Sequence, residues 1–311
     1  MKKSGKIGCA IIWLLTRPLA ILPLGFHRAV GSFVGWLAGS VLKYRKGVVM
    51  INLSRSFPEK KYEELEDICH KFYRHFGTVV GEAIWFSGCS NPQRLVRSGI
   101  VTVENPGMLN RFLAKGESVI ILAAHTGNWE LDGGVFSYLK EPLLMEENNY
   151  CVVYKRLTSA AWDRFMHWNR IRPLVDRKNY HGLVESEEIF RYAYHNMDKA
   201  STYTFITDQA PYGTSARVNI GEFLHQSTWT MVGAAAFAKM FSKPVVFERF
   251  RIDENGNYHK TYELISENAA ESEIPDMMKL YYKYLQEDLE AQPWNYLWTH
   301  KRWKEIITNE Q

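Results

Sequence analysis

The chain has 311 residues, 46% of them apolar and 23% charged. That is enough to bury a full core as one large α/β domain, or one domain with a helical extension, and it excludes a disordered chain. The 38 basic and 34 acidic residues leave a net charge of +4, a modest and mixed excess that suits an anionic surface better than a nucleic-acid groove.

Four cysteines (Cys9, Cys69, Cys89, Cys151) lie far apart without a C-x-x-C pair. The spacing argues against a zinc ribbon, a redox motif or a disulfide framework, and points to a reducing compartment. The aromatic load is high, with 10 Trp, 17 Tyr and 16 Phe. Much of it can be core, but Trp and Tyr also favour the boundary between water and lipid.

In chain order, the first segment is "MKKSGKIGCAIIWLLTRPLAILPLGFHR", three lysines followed by an apolar run from Ile7 to Phe26 that Arg17, Pro18 and Pro23 interrupt. No A-x-A type cleavage site follows cleanly. A spanning helix needs about 20 mostly apolar residues, so two readings stand: a single span, or a shallow anchor, with the basic end facing the cytoplasm either way. A buried helix pair covering the core is the third. The next apolar segment, "AVGSFVGWLAGSVL" (residues 29–42), carries small residues at helical spacing that suit packing against the first. It ends in "KYRKG", a basic collar for anionic head groups. Residues 1–46 are therefore set apart as a membrane-associated helical segment, and residues 47–311 as the catalytic domain.

"FPEKKYEELEDICHKFYRHFGTVVGEAIWF" has apolar positions at Leu65, Ile68, Phe72, Phe76, Val79, Val80 and Ala83, the spacing of one long amphipathic helix. His70 and His75 read as solvated or packing positions on it. After a turn at "GCSNPQ", the run "SVIILAA" (118–124) is the continuous β-favouring type found in strands covered on both faces. "CVVY" (151–154), "TYTFIT" (202–207) and "PVVFERF" (244–250) repeat it, with helical stretches between. Alternating strands and helices predict a mixed, largely parallel sheet flanked by helices, with ligands beyond the carboxyl ends of the strands.

His125 falls at such an end, in "IILAAHTGNWELDGG", with Glu130 five residues on. A neutral imidazole can take a proton from a hydroxyl near neutral pH, and a carboxylate on its other nitrogen fixes the tautomer. A strand-to-helix turn of this length is expected to bring His125 and Glu130 into contact. Gly127 and the backbone N–H groups of the turn are candidates to hold a developing oxyanion. No G-x-S-x-G occurs and no cysteine is near His125 in sequence, which disfavours a Ser or Cys hydrolase. A base without its own nucleophile suggests direct transfer, the substrate's hydroxyl attacking an acyl donor. His125, His167, His181 and His195 show no metal-ligand spacing, so no metal or other cofactor is expected.

"HTGNWE" resembles the H-x-x-x-x-D/E signature of glycerolipid-type acyltransferases, and the rest of the chain resembles one branch, the late acyltransferases of lipid A biosynthesis. "INLSRSFPEK" is similar to that branch's N-L-x-x-x-F-P segment. "VVYKR" followed by "WDRFMHWNRIR" is similar to its Y-R segment and arginine pair. "DRKNYHGL", "TDQAP" and "QPWNYLWTHKRWK" resemble its R-x-N-x-x-G, D-Q-D and P-x-x-Y-L-W-x-H-R-R blocks. The matches are collinear from about residue 10 to residue 304. Four departures fall in blocks that would touch substrate: the arginine after the tyrosine is Lys155, with Arg156 next, "DQAPYG" lacks the acidic residue that often follows Gln, "VESEEIFRYAYHNMDKAS" lacks the compact K-x-G-E turn, and "FLHQSTWTMVGAAAFAK" matches F-F-G-x-x-A-x-T only loosely.

The resemblance implies a glycerolipid-acyltransferase-like fold with His125 as general base and Glu130 as its orienting carboxylate. It further implies that Lys155, Arg156, Arg170 and Arg172 bind phosphate or charge near the reaction, and that Asp208 and Gln209 shape the site. The terminal "WTHKRWK" fits an interfacial surface for anionic lipid or an acidic carrier. The implied donor is acyl carrier protein, the acceptor an anionic glycolipid such as a lipid A precursor in lipopolysaccharide biosynthesis, and the place the cytoplasmic face of the inner membrane. A lysophospholipid or aminolipid is the alternative acceptor. A lipid-binding scaffold without activity gives no reason for His125 and Glu130 to occur together.

Overall fold

The computed structural model describes residues 3–213 and 215–303, with Lys3 and Ser4 as backbone only. The amino-terminal part is helical: α1 (Lys3–Ala20), α2 (Leu24–Trp36) running into a π-helical turn (Leu37–Val41), α3 (Lys46–Ser56), α4 (Tyr62–Phe86) and α5 (Pro92–Ser98). Strands and helices then alternate as β1 (Val101–Val103), α6 (Gly107–Leu113), β2 (Val119–Ala123), β3 (Tyr150–Tyr154), α7 (Ala160–Arg170), β4 (Leu183–Glu185), α8 (Ile189–His195) and β5 (Thr202–Ile206). A hairpin of β6 (Arg217–Phe223) and β7 (Gln226–Met231) precedes α9 (Gly233–Met240), β8 (Val245–Ile252), β9 (Tyr258–Ser266) and α10 (Ile274–Ala291).

Seven strands form one sheet in the order β1-β9-β8-β2-β5-β3-β4. Its five strands from β8 to β4 run parallel, while β9 turns back antiparallel on β8 and carries β1 with it. The expected mixed, largely parallel sheet is what forms. All five residues of β2 are buried, as the unbroken "VIILA" requires of a strand covered on both faces. Its alternation divides the core: Ile120 and Leu122 enter a cluster with Phe237, Phe247 and Tyr281, whereas Val119 and Ile121 enter one with Phe112, Tyr150 and Tyr262.

The amino-terminal helices differ from expectation in their partners. The small residues of α2 pack on α4 and not on α1. A Cβ on Gly31, Gly35, Gly77 or Gly81 would collide with backbone of the facing helix, so these four glycines let the two axes approach closely. Helix α1 instead lies along α7, where Gly5 and Gly8 face Ala160 and Ala161 and Trp13 meets Trp168 edge-on. Among the described residues no helix is long and apolar enough to cross a membrane. The outer face of α1 nonetheless exposes Ile7, Ile11, Leu14 and Leu15.

The carboxyl-terminal block also differs, being built into the core. Trp298 is buried and donates its indole N–H to the Pro293 carbonyl, Trp303 donates to Thr228, and the buried Arg302 donates to the Tyr282 hydroxyl. An apolar ring with one donor is well placed inside when that donor finds a carbonyl or hydroxyl. The expected interfacial surface is therefore not formed by these residues; Lys304, counted with them in the sequence, lies outside the described residues.

Candidate active site

β2 and β5 are paired in register from Val119 opposite Thr202 to Ala123 opposite Ile206. Beyond those ends the chains separate, and His125 and Asp208 each lie two residues past the last paired position. Equal overhang on neighbouring parallel strands brings them together. Asp208 Oδ1 accepts both the ring Nδ1–H of His125 at 2.7 Å and its backbone N–H at 3.2 Å. Burial alone would raise the Asp208 carboxyl, but the facing His125, with its hydrogen bonds, and then Arg302 more than reverse this and hold it below the usual carboxylate value. The Nδ1–H tautomer makes Nε2 an acceptor, and the Gln209 side-chain amide donates to it at 3.3 Å. Trp129 packs edge-on against the ring.

The carboxylate on His125 is thus Asp208 and not the expected Glu130. Residues 129–137 form a 3-10 helix whose first turn carries Glu130 away toward α7. There it takes a bidentate pair from Arg170, Nε to Oε2 and Nη2 to Oε1, both at 2.8 Å. A fork-on-fork contact of this kind fixes both partners. Burial works against the Arg170 charge, and Glu130 more than compensates, so its pKa rises. Asn128 caps the turn by accepting the Glu130 N–H.

The turn itself is tied down on every side. The Gly127 N–H donates to Asn295 at 2.6 Å, so it is not free to hold an oxyanion as the sequence suggested. Gly127 takes a left-handed backbone with φ of 59° beneath the Phe250 ring, a position that excludes a side chain on both counts. His75 lies within 3.2 Å of the Gly127 carbonyl, and Asn128 Nδ2 donates to Glu82 Oε2 at 2.9 Å. Glu82 is fully buried in α4, and it also accepts from Tyr258 at 2.7 Å and from Arg28 of α2 at 2.7 Å. Burial raises its carboxyl, and these donors oppose the rise. Sequence reasoning missed Glu82 and Asn295, and read His75 only as a solvated or packing position. An acid at position 82 among apolar residues of a long helix was the one available signal.

A cavity of about 700 Å³ is lined by His125, within the roughly 300–1,000 Å³ of small-ligand pockets. Phe190, Phe205, Ile206, Met231 and Phe237 give it apolar walls, and Glu130, Lys155, Arg156, Arg170 and Gln209 line its polar part. Lys155 Nζ sits over the Tyr212 ring, and Arg156 donates to Glu185 at 2.6 Å. Arg172 does not join them: it donates Nε to the Ser87 carbonyl and stacks over Trp168, with burial first and then Arg177 and Arg17 lowering its pKa. Among the described residues no group of three or more His, Cys, Asp or Glu side chains is placed to hold a metal ion.

A histidine held by a buried carboxylate beside a largely apolar cavity at the carboxyl ends of a mixed sheet is an arrangement that can serve as a general base. The sequence matches the profile of the bacterial lipid A biosynthesis acyltransferases over residues 4–305, and the chain belongs to that family. It is an acyltransferase. It is 22% identical over 305 residues to a lipid A biosynthesis palmitoleoyltransferase of Escherichia coli K12 and to a lipid A biosynthesis acyltransferase of Shigella flexneri, and 22% identical over 309 residues to a lipid A biosynthesis lauroyltransferase of Escherichia coli K12. In all three comparisons 96% of this chain and 90% of the relative are covered.

Proposed function

We propose that this enzyme moves a fatty acyl chain from the thioester of acyl carrier protein to a hydroxyl of a lipid A precursor, at the cytoplasmic face of the inner membrane. The contact of Asp208 Oδ1 with Nδ1 of His125 carries the mechanism, because it presents Nε2 as a base to the cavity. In that reading Nε2 takes the proton of the acceptor hydroxyl as its oxygen attacks the thioester carbonyl. The tetrahedral centre collapses, the C–S bond breaks, and the leaving thiolate takes the proton from the imidazolium. Asp208 stabilises the imidazolium in between. The Gln209 amide, beside Nε2, is placed to bond the acceptor oxygen.

The apolar end of the cavity suits the acyl chain. Glu130 pairs with Arg170 and Glu185 with Arg156, so Lys155 at the cavity carries the positive charge that an acceptor phosphate or an acidic carrier meets. The names of the relatives support the acceptor, and the exposed apolar face of α1 supports work at a membrane.

The test is product analysis by mass spectrometry, with purified enzyme, acyl-loaded carrier protein and, in separate reactions, a lipid A precursor, a lysophospholipid and a hydroxylated aminolipid. An acyl ester on the lipid A precursor, lost in His125→Ala, is expected. Acylation of only one of the other two would replace the acceptor while keeping the chemistry.

A further inference from the structure

A second cavity, of about 960 Å³, lies outside the catalytic one, between α1 and α7. Ala10, Trp13, Ala160 and Trp168 give it an apolar lining, and α1 also exposes Ile7 and Ile11. The two cavities share Tyr154, Arg156, Leu157 and Ile171 as a common wall. Tyr154 is the partition: Arg170 lies over its ring, and His167, which lines the groove, meets it edge-on.

The charges around the groove are uneven. Arg156 is paired with Glu185, and Asp163 accepts the Leu157 N–H. His167 is pushed below its ordinary pKa first by burial. Lys6 and Arg164 also line the groove, and their side chains make no hydrogen bond or ion pair among the described residues. Two unpaired cations over an apolar trough match an anionic head group with its hydrocarbon chain lying below.

We propose that this groove seats one hydrocarbon chain of the anionic acceptor lipid, which enters sideways from the membrane along α1 with its phosphate at Lys6 and Arg164. The inference rests on the acyl-transfer reading above and adds a division of labour. The donor chain occupies the cavity that contains His125, the acceptor chain occupies the groove, and the shared wall brings the reacting ends together. Such a pair of seats would let two chain-bearing substrates bind at once without competing for one cavity.

Cys9 lines the groove and offers a direct readout. It is the one cysteine of the four that is not buried, and burial pushes the thiols of Cys69 and Cys89 up to about 11 and about 12, so a maleimide reads Cys9 selectively. The rate of N-ethylmaleimide labelling is measured on the full chain bound to phosphatidylcholine vesicles, with added monododecyl phosphate, dodecanol, lauroyl pantetheine or inorganic phosphate. Saturable protection by monododecyl phosphate is expected, with little from the other three. In Lys6→Ala/Arg164→Ala half-protection should need about tenfold more ligand, as loss of charge-assisted contacts to a phosphate gives.

Equal protection by dodecanol, or protection by lauroyl pantetheine, overturns the proposal, the latter because the groove would then take the donor. Absence of protection overturns it as well. His125→Ala should be protected like the wild type while losing transfer, so failure of the groove and failure of the base are read separately. In Thr158→Trp, which narrows the rim, KM for the acceptor should rise with kcat and the donor KM unchanged. A fall in kcat alone would also overturn the assignment.

Discussion

His75 shows how a single side chain can set the pH behaviour of the site. It sits between Tyr258 and Trp294 with a nitrogen 3.2 Å from the Gly127 carbonyl, and burial lowers its pKa to about 4. In the unfolded chain it titrates near its ordinary value of about 6.5. Between those values the unfolded state binds a proton that the folded state refuses, so stability falls as pH is lowered through this window and is unaffected above it. His75→Gln can still donate to Gly127 but cannot titrate. Its melting temperature should fall less steeply between pH 6.5 and 4 than that of the wild type, and parallel curves would mean that other groups cause the loss.

The partner of His125 marks the limit of what could be read at this scale. His125 was legible as a candidate base because an isolated histidine follows an apolar strand, but its carboxylate is 83 residues away and is brought in by strand register. Glu130, the near choice in sequence, follows the turn toward Arg170 because a 3-10 start points it off the strand axis.

At the scale of elements, the close seat of α2 on α4 depends on absent side chains. Gly77→Val would place methyl groups against the Gly31 carbonyl and the Gly35 backbone, neither of which can yield without moving a helix. Overpacking of this sort costs about 1–3 kcal/mol and more where backbone blocks relaxation. Denaturant unfolding of Gly77→Val should show at least that loss, whereas Val80→Ala, at an exposed position on the same helix, should be nearly silent. A Gly77→Val protein as stable as the wild type would show that the helices are not seated on each other.

The glycine spacing of α2 was visible in the sequence; its partner was not, since Gly77 and Gly81 sit inside a helix read for its apolar positions. Strands with continuous apolar runs, β2, β3, β5 and β8, were found within a residue or two. β9 escaped because "YHKTYELIS" mixes polar and apolar residues, its Lys260 being buried through pairs with Asp132 and Glu248 at 2.7 Å each.

At the scale of the molecule, α1 and α2 gather exposed apolar side chains that the sheet domain does not need, among them Ile7, Ile11, Leu14 and Leu15 of α1 and Phe26, Phe33 and Val34 of α2. Among the described residues no helix is long and apolar enough to cross a membrane, and we propose that α1 lies in the interface. Removing residues 1–20 should leave α2 to α10 folded and weaken flotation with vesicles that contain anionic lipid. Full flotation of the truncated protein would assign attachment to α2 or to the cationic surface.

The proposed transfer depends on a base built by two neighbouring strands, and turnover of Asp208→Asn tests that most directly. The amide keeps the size of the carboxylate but removes its charge and can hold the imidazole in the wrong tautomer. With acyl-loaded carrier protein and a lipid A precursor, kcat should fall by about 10²-fold or more while KM for both substrates stays near the wild-type value. Near wild-type kcat in a folded Asp208→Asn enzyme would contradict the His125–Asp208 base.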